Sequence, residues 1–371
     1  MKQMMEIEFT KHCVAISLMM ILTCSTTAVS SPHVTAMFAF GDSLTDPGNN
    51  NYLSSLAKAN YVPYGVDFWT PSGRFCNGKT FVDYIGQLLG LPILLPYTSP
   101  FATGTNVVRG VNYASAAGGI LEDTGRHLGE RFSLSAQVVN FESTLSELRS
   151  QMGDEEIVNY LAKAIVVMSL GSNDYINNYM LPSFYSSSYI YAPKDFADLL
   201  INSYTRQILA LRSLGLRKFL LGGVGPLGCI PNQLAGGTAS TGKCVAYANN
   251  VAAIFNERLK SLVDDLNTKY NNNDSRTIFA YGNTLGATLD ILNNANTYGF
   301  NVTDRGCCGI GRNRGQITCL PFSVPCDNRK EHIFWDAFHP TEAVNRILAQ
   351  RAYSGSPSDC HPLNIQQMAL I

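Results

Sequence analysis

Met37-Phe38-Ala39-Phe40-Gly41-Asp42-Ser43-Leu44 decides the reading of this chain. Apolar residues run into a glycine, a carboxylate and a hydroxyl, the pattern of a buried strand that ends in a tight turn. In an open α/β sheet, ligands bind outside the carboxyl ends of the strands, so Ser43 stands where chemistry is done. Gly41 permits the turn, and Asp42 offers a local side-chain cap that leaves Ser43 at or near a helix start. A lone serine there is more often only a cap. It becomes a nucleophile when a placed base takes its proton, because a free hydroxyl hardly ionises at neutral pH.

Outward from this stretch, strands are predicted over 35–40, 106–113, 164–170, 218–223 and 277–281. Segments of helical period separate them at 81–89, 134–151, 195–214, 245–270 and 341–353. In the third of these, Phe196, Leu199, Leu200, Ile208 and Leu211 fall near one stripe, as an amphipathic helix needs. Strands alternating with helices build an α/β fold: a central, mostly parallel sheet of about five strands covered on both faces. No Pro- or Ser-rich linker and no internal repeat divides the chain, which predicts a single domain over residues 31–371.

Of the 371 residues, 46% are hydrophobic and 15% charged, and the formal net charge is −1. A charged share below the usual quarter argues against disorder. Without a basic excess there is nothing to neutralise a phosphate backbone, so a nucleic-acid partner is not expected. The N-terminus carries Lys2 and Lys11, then an apolar stretch from Cys13 to Cys24, then small residues to Ser31. This predicts a signal peptide over residues 1–30, cleaved after Ala28 or Ser30, and an exported protein, extracellular or in the cell wall. The stretch is well short of the roughly 20 residues that span a bilayer, so stable membrane insertion is not expected after its removal.

Removing the leader reduces ten cysteines to eight, an even number in a compartment where disulfides persist. Pairing is then the default. Cys229 and Cys244 bracket a Gly-rich loop, whose closure would stabilise by roughly 3 kcal/mol in the chain-entropy model. Cys307, Cys308, Cys319 and Cys326 are expected to make two more bridges, while the partners of Cys76 and Cys360 stay open. No Cys-x-x-Cys pair appears and His332 lacks a matching partner spacing, so no metal site is predicted. Asn273 and Asn301 fit the glycan acceptor pattern.

The candidate base lies far along the chain, in Trp335-Asp336-Ala337-Phe338-His339-Pro340, with Pro340 suited to the first turn of the next helix. A spacing of three lets Asp336 meet imidazole Nδ1 in a turn, fixing the tautomer that leaves Nε2 free to accept a proton. Gly171-Ser172-Asn173-Asp174 follows another strand, where Asn173 is a candidate donor to an oxyanion. Asn112-Tyr113-Ala114-Ser115-Ala116-Ala117-Gly118-Gly119 follows a third, and a glycine there allows close approach of a backbone N–H. Nucleophile, base with its orienter, and oxyanion donors complete the inventory for acyl transfer.

On these four blocks the sequence resembles the plant-type branch of the GDSL esterase/lipase family, in the SGNH hydrolase superfamily, over nearly all of the chain beyond the leader. The resemblance implies a three-layer, flavodoxin-like α/β/α sandwich. It implies a Ser43–His339–Asp336 triad and an oxyanion hole from the Ser43 N–H, a glycine N–H and the Asn173 side chain. Gly118 is preferred over the adjacent Gly119 for the glycine. The implied activity is hydrolysis of carboxylic esters of acyl lipids, cutin-like polyesters or acetylated cell-wall polysaccharides, without metal or cofactor.

Two other readings compete. Gly73-Arg74-Phe75-Cys76-Asn77-Gly78-Lys79-Thr80 fits a phosphate-binding loop formally, but turn-like residues rather than a buried strand precede it. A non-catalytic carbohydrate- or lipid-binding protein on the same scaffold is the second, since fold alone never proves turnover. Tyr175 and Tyr179 head an aromatic segment with Phe184, Tyr185, Tyr189 and Tyr191, a candidate lip for acyl chain or sugar. Tyr61, Tyr64, Phe68 and Trp69 raise the same possibility. Oligomeric state is not readable.

Overall fold

The computed structural model describes residues 34–68, 70–237, 244–271 and 277–371. The leader, Trp69 and Asn273 lie outside the described residues. β1 (Met37–Gly41) is buried throughout, and its side chains divide by the two-residue period of a strand. Phe38 and Phe40 face one core with Phe141, Phe196 and Phe255, while Met37 and Ala39 face another with Val82, Ile85 and Ala349.

Beside it stand β2 (Leu95–Pro96), β3 (Val111–Asn112), β4 (Ile165–Ser169), β5 (Lys218–Gly222) and β6 (Ile278–Gly282). β7 (Val302–Gly306) and β8 (His332–Phe334) pair separately, and β9 (Cys360–His361) closes the main sheet. The order is β2-β3-β1-β4-β5-β6-β9, parallel except for β9. From β1 the chain builds one half of the sheet and then returns to build the other. The loops diverge above the carboxyl end of β1, which opens a crevice there.

The main helices are α1 (Phe81–Leu88), α2 (Leu134–Gln151), α3 (Asp154–Lys163), α4 (Pro193–Ser213), α5 (Ala246–Asn271), α6 (Thr284–Asn293), α7 (Glu342–Ser354) and α8 (Ile365–Ala369). α2, α4 and α5 cover the Phe38 face; α1, α7 and α8 cover the Met37 face. Two helical layers around a mostly parallel sheet are what the sequence led us to expect. The main sheet has seven strands rather than about five, because β2 and β9 are two-residue edges too short to carry a period. The expected strand at 106–113 shrinks to Val111–Asn112, since Gly104–Val107 coils into a 3-10 turn and Gly110 takes φ +112°. Among the described residues no helix is long and apolar enough to cross a membrane.

Among the described residues three disulfides are present: Cys229–Cys244, Cys307–Cys326 and Cys308–Cys319. The default of full pairing is corrected at Cys76 and Cys360, which are buried free thiols. Each finds a local acceptor instead, Cys76 the Gly78 carbonyl at 3.0 Å and Cys360 the Ala352 carbonyl at 3.5 Å.

Candidate active site

Beyond β1 the chain makes one turn and does not begin a helix. Thr45 and Asp46 N–H both donate to the Asp42 carbonyl, at 3.1 and 3.0 Å, and Asp42 Oδ1 accepts from Leu44 N–H at 2.9 Å. Asp42 therefore caps as expected, but Ser43 sits in a turn. The turn stops within one round: the Asp46 side chain accepts from Gly48, Asn49 and Ala116 N–H at 2.7, 2.7 and 2.9 Å, and Gly48 takes φ +131°, outside the helical region.

The residues after β8 fold just as tightly. Asp336 Oδ1 accepts from the N–H groups of Phe338 and His339, both at 2.8 Å, the side-chain-to-backbone turn that Asp favours. This bends His339 back over Asp336 and brings Nδ1 within 2.8 Å of the carboxylate. His339 Nε2 is then 2.7 Å from Ser43 Oγ, across 296 residues of sequence. Thr341 is the N-cap of α7, so Pro340 lies before the helix rather than in its first turn, bridged to Phe334.

A fourth residue completes the row. Tyr64, 1% exposed, donates its hydroxyl to Asp336 Oδ2 at 2.6 Å. Tyr64 thus lies behind the carboxylate rather than among substrate contacts; its neighbour Tyr61 was the only hint in the sequence of a packed aromatic pair. Burial pushes the Asp336 carboxyl up, but the charge of His339 and the hydrogen bonds from His339, Tyr64 and Phe338 outweigh it and hold the group below its ordinary range. Asp42 shows the opposite balance. Its burial outweighs the Leu44 hydrogen bond and pushes the carboxyl up to about 7, and its Oδ2 has no hydrogen-bond partner among the described residues.

Asn173, in the turn after β4, donates one Nδ2 hydrogen to the Gly118 carbonyl at 3.0 Å and accepts from Asn177 at 2.7 Å. The side chain is fixed, and a carboxamide has a second hydrogen to give. The expectation for Gly118 is corrected: its N–H closes a turn onto the Ser115 carbonyl at 3.0 Å, so that donor is already engaged. Beside it Ala117 holds φ +64°, a left-handed conformation that glycine adopts without strain and alanine does not. Tyr175 and Tyr179 are corrected too. They are 0% and 3% exposed and pack on Phe196, core residues rather than a substrate lip. Phe184 and Tyr189, from the same segment, do stand exposed, and Phe184 stacks on His127.

The segment 73–80 builds a helix start. Thr80 and Asp83 form a capping box on α1, Arg74 makes a buried ion pair with Asp83 at 2.7 Å, and Lys79 Nζ meets Gln87 at 3.1 Å. His332 lies 3.4 Å from Cys326 Sγ, but that sulfur and Cys307 Sγ are joined in a disulfide and offer no thiolate to a metal. Asn301 is exposed.

Ser43, Asn173 and His339 are among the residues that line a cavity of about 150 Å³ at the carboxyl edge of the sheet. Comparison with known proteins places the whole chain. A model of the GDSL-like lipase/acylhydrolase family matches residues 37–352. A GDSL esterase/lipase of Arabidopsis thaliana is 59% identical over 90% of this chain and 87% of its own, and a second is 54% identical over 91% and 90%. GDSL esterase/lipase 7 of the same plant is 48% identical over 91% of this chain and 93% of its own. A match over most of the length leads to one conclusion: the chain belongs to the GDSL-like lipase/acylhydrolase family and is a carboxylic ester hydrolase.

Proposed function

We propose that Ser43 is the nucleophile of a two-step ester hydrolysis. As Oγ attacks the carbonyl carbon, His339 Nε2 takes its proton and then gives it to the departing alkoxide, leaving an acyl ester on Ser43. Water follows the same route: Nε2 removes its proton, the hydroxide attacks the acyl carbon, and the proton returns to Ser43 Oγ as the acid leaves. Asp336 holds the imidazole in the tautomer with Nδ1 protonated and supports the positive ring without taking the proton. The Ser43 N–H and the second Nδ2 hydrogen of Asn173 receive the oxyanion, where removing one such donor costs about 3–4 kcal/mol in other hydrolases.

The observation that carries this reading is the contact of 2.7 Å between Ser43 Oγ and a ring whose other nitrogen is 2.8 Å from a buried carboxylate. No step calls on a metal or a cofactor. Candidate substrates are acyl lipids, cutin-like polyesters and acetylated cell-wall polysaccharides. We also infer export of a domain beginning near residue 31 after removal of residues 1–30, with Asn273 and Asn301 as glycan acceptors; three disulfides support an oxidising destination. In Ser43→Ala, kcat on p-nitrophenyl acetate is expected to fall by about 10^4-fold or more with the melting temperature unchanged. Full activity in that variant contradicts the assignment.

A further inference from the structure

Behind the Asp336 carboxylate the chain closes on itself through a disulfide. Tyr64 has one hydroxyl hydrogen and gives it to Asp336 Oδ2 at 2.6 Å, so Thr318 Oγ1, 3.4 Å from the same phenol oxygen, is the donor to it. Thr318 precedes Cys319, whose carbonyl accepts from the Tyr61 hydroxyl at 2.9 Å, and the rings of Tyr61 and Tyr64 meet edge to face with centroids 5.3 Å apart. Cys319 is bonded to Cys308, and Cys308 N–H donates at 2.7 Å to the carbonyl of Trp335, the residue before Asp336. The path thus leaves Asp336 by its side chain and returns to it by its backbone.

The two ends of this bridge are held unequally. Cys308 is fixed without it, because the N–H groups of Cys307 and Cys308 donate to the Phe334 and Trp335 carbonyls at 3.0 and 2.7 Å and so continue the pairing of β7 with β8. The other end is different. Between Gly309 and Pro325 only Gly315 and Cys319 are buried, while Phe322 and Val324 stand 84% and 86% exposed. With no large apolar side chain buried, the segment has the Cys319 sulfur as its one side chain in the core, beside Tyr64 and Trp335.

We propose that the Cys308–Cys319 disulfide and Thr318 are positioning residues of the hydrolase, which clamp the Tyr64 hydroxyl onto the carboxylate behind His339. The inference rests on the hydrolase reading of Ser43 and adds a device that acts on the catalytic row from outside it. A phenol that accepts from Thr318 is a better donor to Asp336, since linked hydrogen bonds polarise one another. Cutting the bridge leaves Cys308 in place and frees Cys319. Thr318 can then draw away, and the Tyr64 hydroxyl loses the partner that fixes its direction.

The test measures kcat and KM on p-nitrophenyl butyrate across pH in the wild type, in Cys308→Ala/Cys319→Ala, in Tyr64→Phe and in the three changes combined. The Cys307–Cys326 bridge stays and still closes the segment. Removing the inner bridge is expected to lower kcat about fivefold with KM little changed, and to move the acid limb of the pH–rate profile upward. In the Tyr64→Phe background the same removal should cost almost nothing further, because both changes act through one hydroxyl. Should the bridge variant misfold, Thr318→Val and Thr318→Ser take its place. The first loses the donor and should show the same signature at about threefold; the second keeps a hydroxyl and should match the wild type. An unchanged kcat and acid limb in the folded variant, or an equal loss with and without the Tyr64 hydroxyl, overturns the positioning proposal and leaves the hydrolase reading intact. Undiminished hydrolysis in Ser43→Ala, or none by the wild type, overturns both.

Discussion

On one flank of Ser43, Asp46, Asp174 and Asn49 tie residues 112–124 in place through hydrogen bonds of 2.7–3.0 Å. On the other flank, Val167, Leu220, Ile333 and Val344 meet around the cavity. Hydrogen bonds are directional and costly to leave unmade, so the first flank has one arrangement and holds Gly118, and through it Asn173, in position. Apolar contacts have no direction, so the second flank prescribes no single geometry. The charged site and the greasy site are adjacent because one sheet edge supplies both: the turns after β1 and β4 feed the polar flank, while α6 and α7 roof the apolar one.

Breaking the polar flank should have the largest effect. Asp174 accepts from Ile120 N–H, Leu121 N–H and the Thr124 hydroxyl at 2.8, 3.0 and 2.7 Å. Asp174→Ala strands three buried donors and is expected to cost about 3 kcal/mol in denaturant unfolding. The same flank should make stability depend on pH. Burial pushes the carboxyls of Asp42 to about 7 and of Asp46 and Asp174 to about 6, against an ordinary 3.8. The folded chain keeps protons that the unfolded chain releases from about pH 4, so this contribution falls as pH rises from about 4 to about 7. Asp336, held low, acts in the opposite sense: its contribution is present above about pH 4 and is lost on acidification. Melting temperatures across this range, in the wild type and Asp42→Asn, check the slope, which the variant should reduce.

Tyr64→Phe tests the row behind the histidine. Losing the hydroxyl at Asp336 should lower kcat about tenfold at little change in KM. Because that hydroxyl helps to hold the Asp336 carboxyl low, the acid limb of the pH–rate profile should also move upward. A purely structural role would lower the melting temperature and leave the limb in place. The smallest effect is expected at Ala117, where Ala117→Gly relieves a left-handed alanine and should stabilise by about 1 kcal/mol.

The sequence carried the apolar architecture well because strand and helix periods survive in residue order. The predicted helix at 134–151 coincides with α2, and the strand at 218–223 differs from β5 by one residue. The pairing of Asp336 with His339 was legible from their spacing of three, which forms a local turn, whereas their meeting with Ser43 across 296 residues came from the family resemblance. Three features were not legible. Tyr64 reaches Asp336 across 272 residues, and no local pattern marks a tyrosine as a carboxylate's partner. Gly118 was chosen for its lack of a side chain, whereas its use depends on whether its N–H is free, which a turn decides. Tyr175 and Tyr179 fitted a substrate lip and packing on the scaffold equally well in the sequence, and a kinked helix turns them into the core beside Phe196.

The central claim is that Ser43 and His339 form one reactive pair. Reaction of the folded protein with a fluorophosphonate, followed by peptide mass spectrometry, tests it most directly. The account predicts one phosphonyl group on Ser43, labelled at least a thousandfold more slowly in a folded His339→Ala variant. An unmodified Ser43, or equal labelling with and without the imidazole, would contradict it.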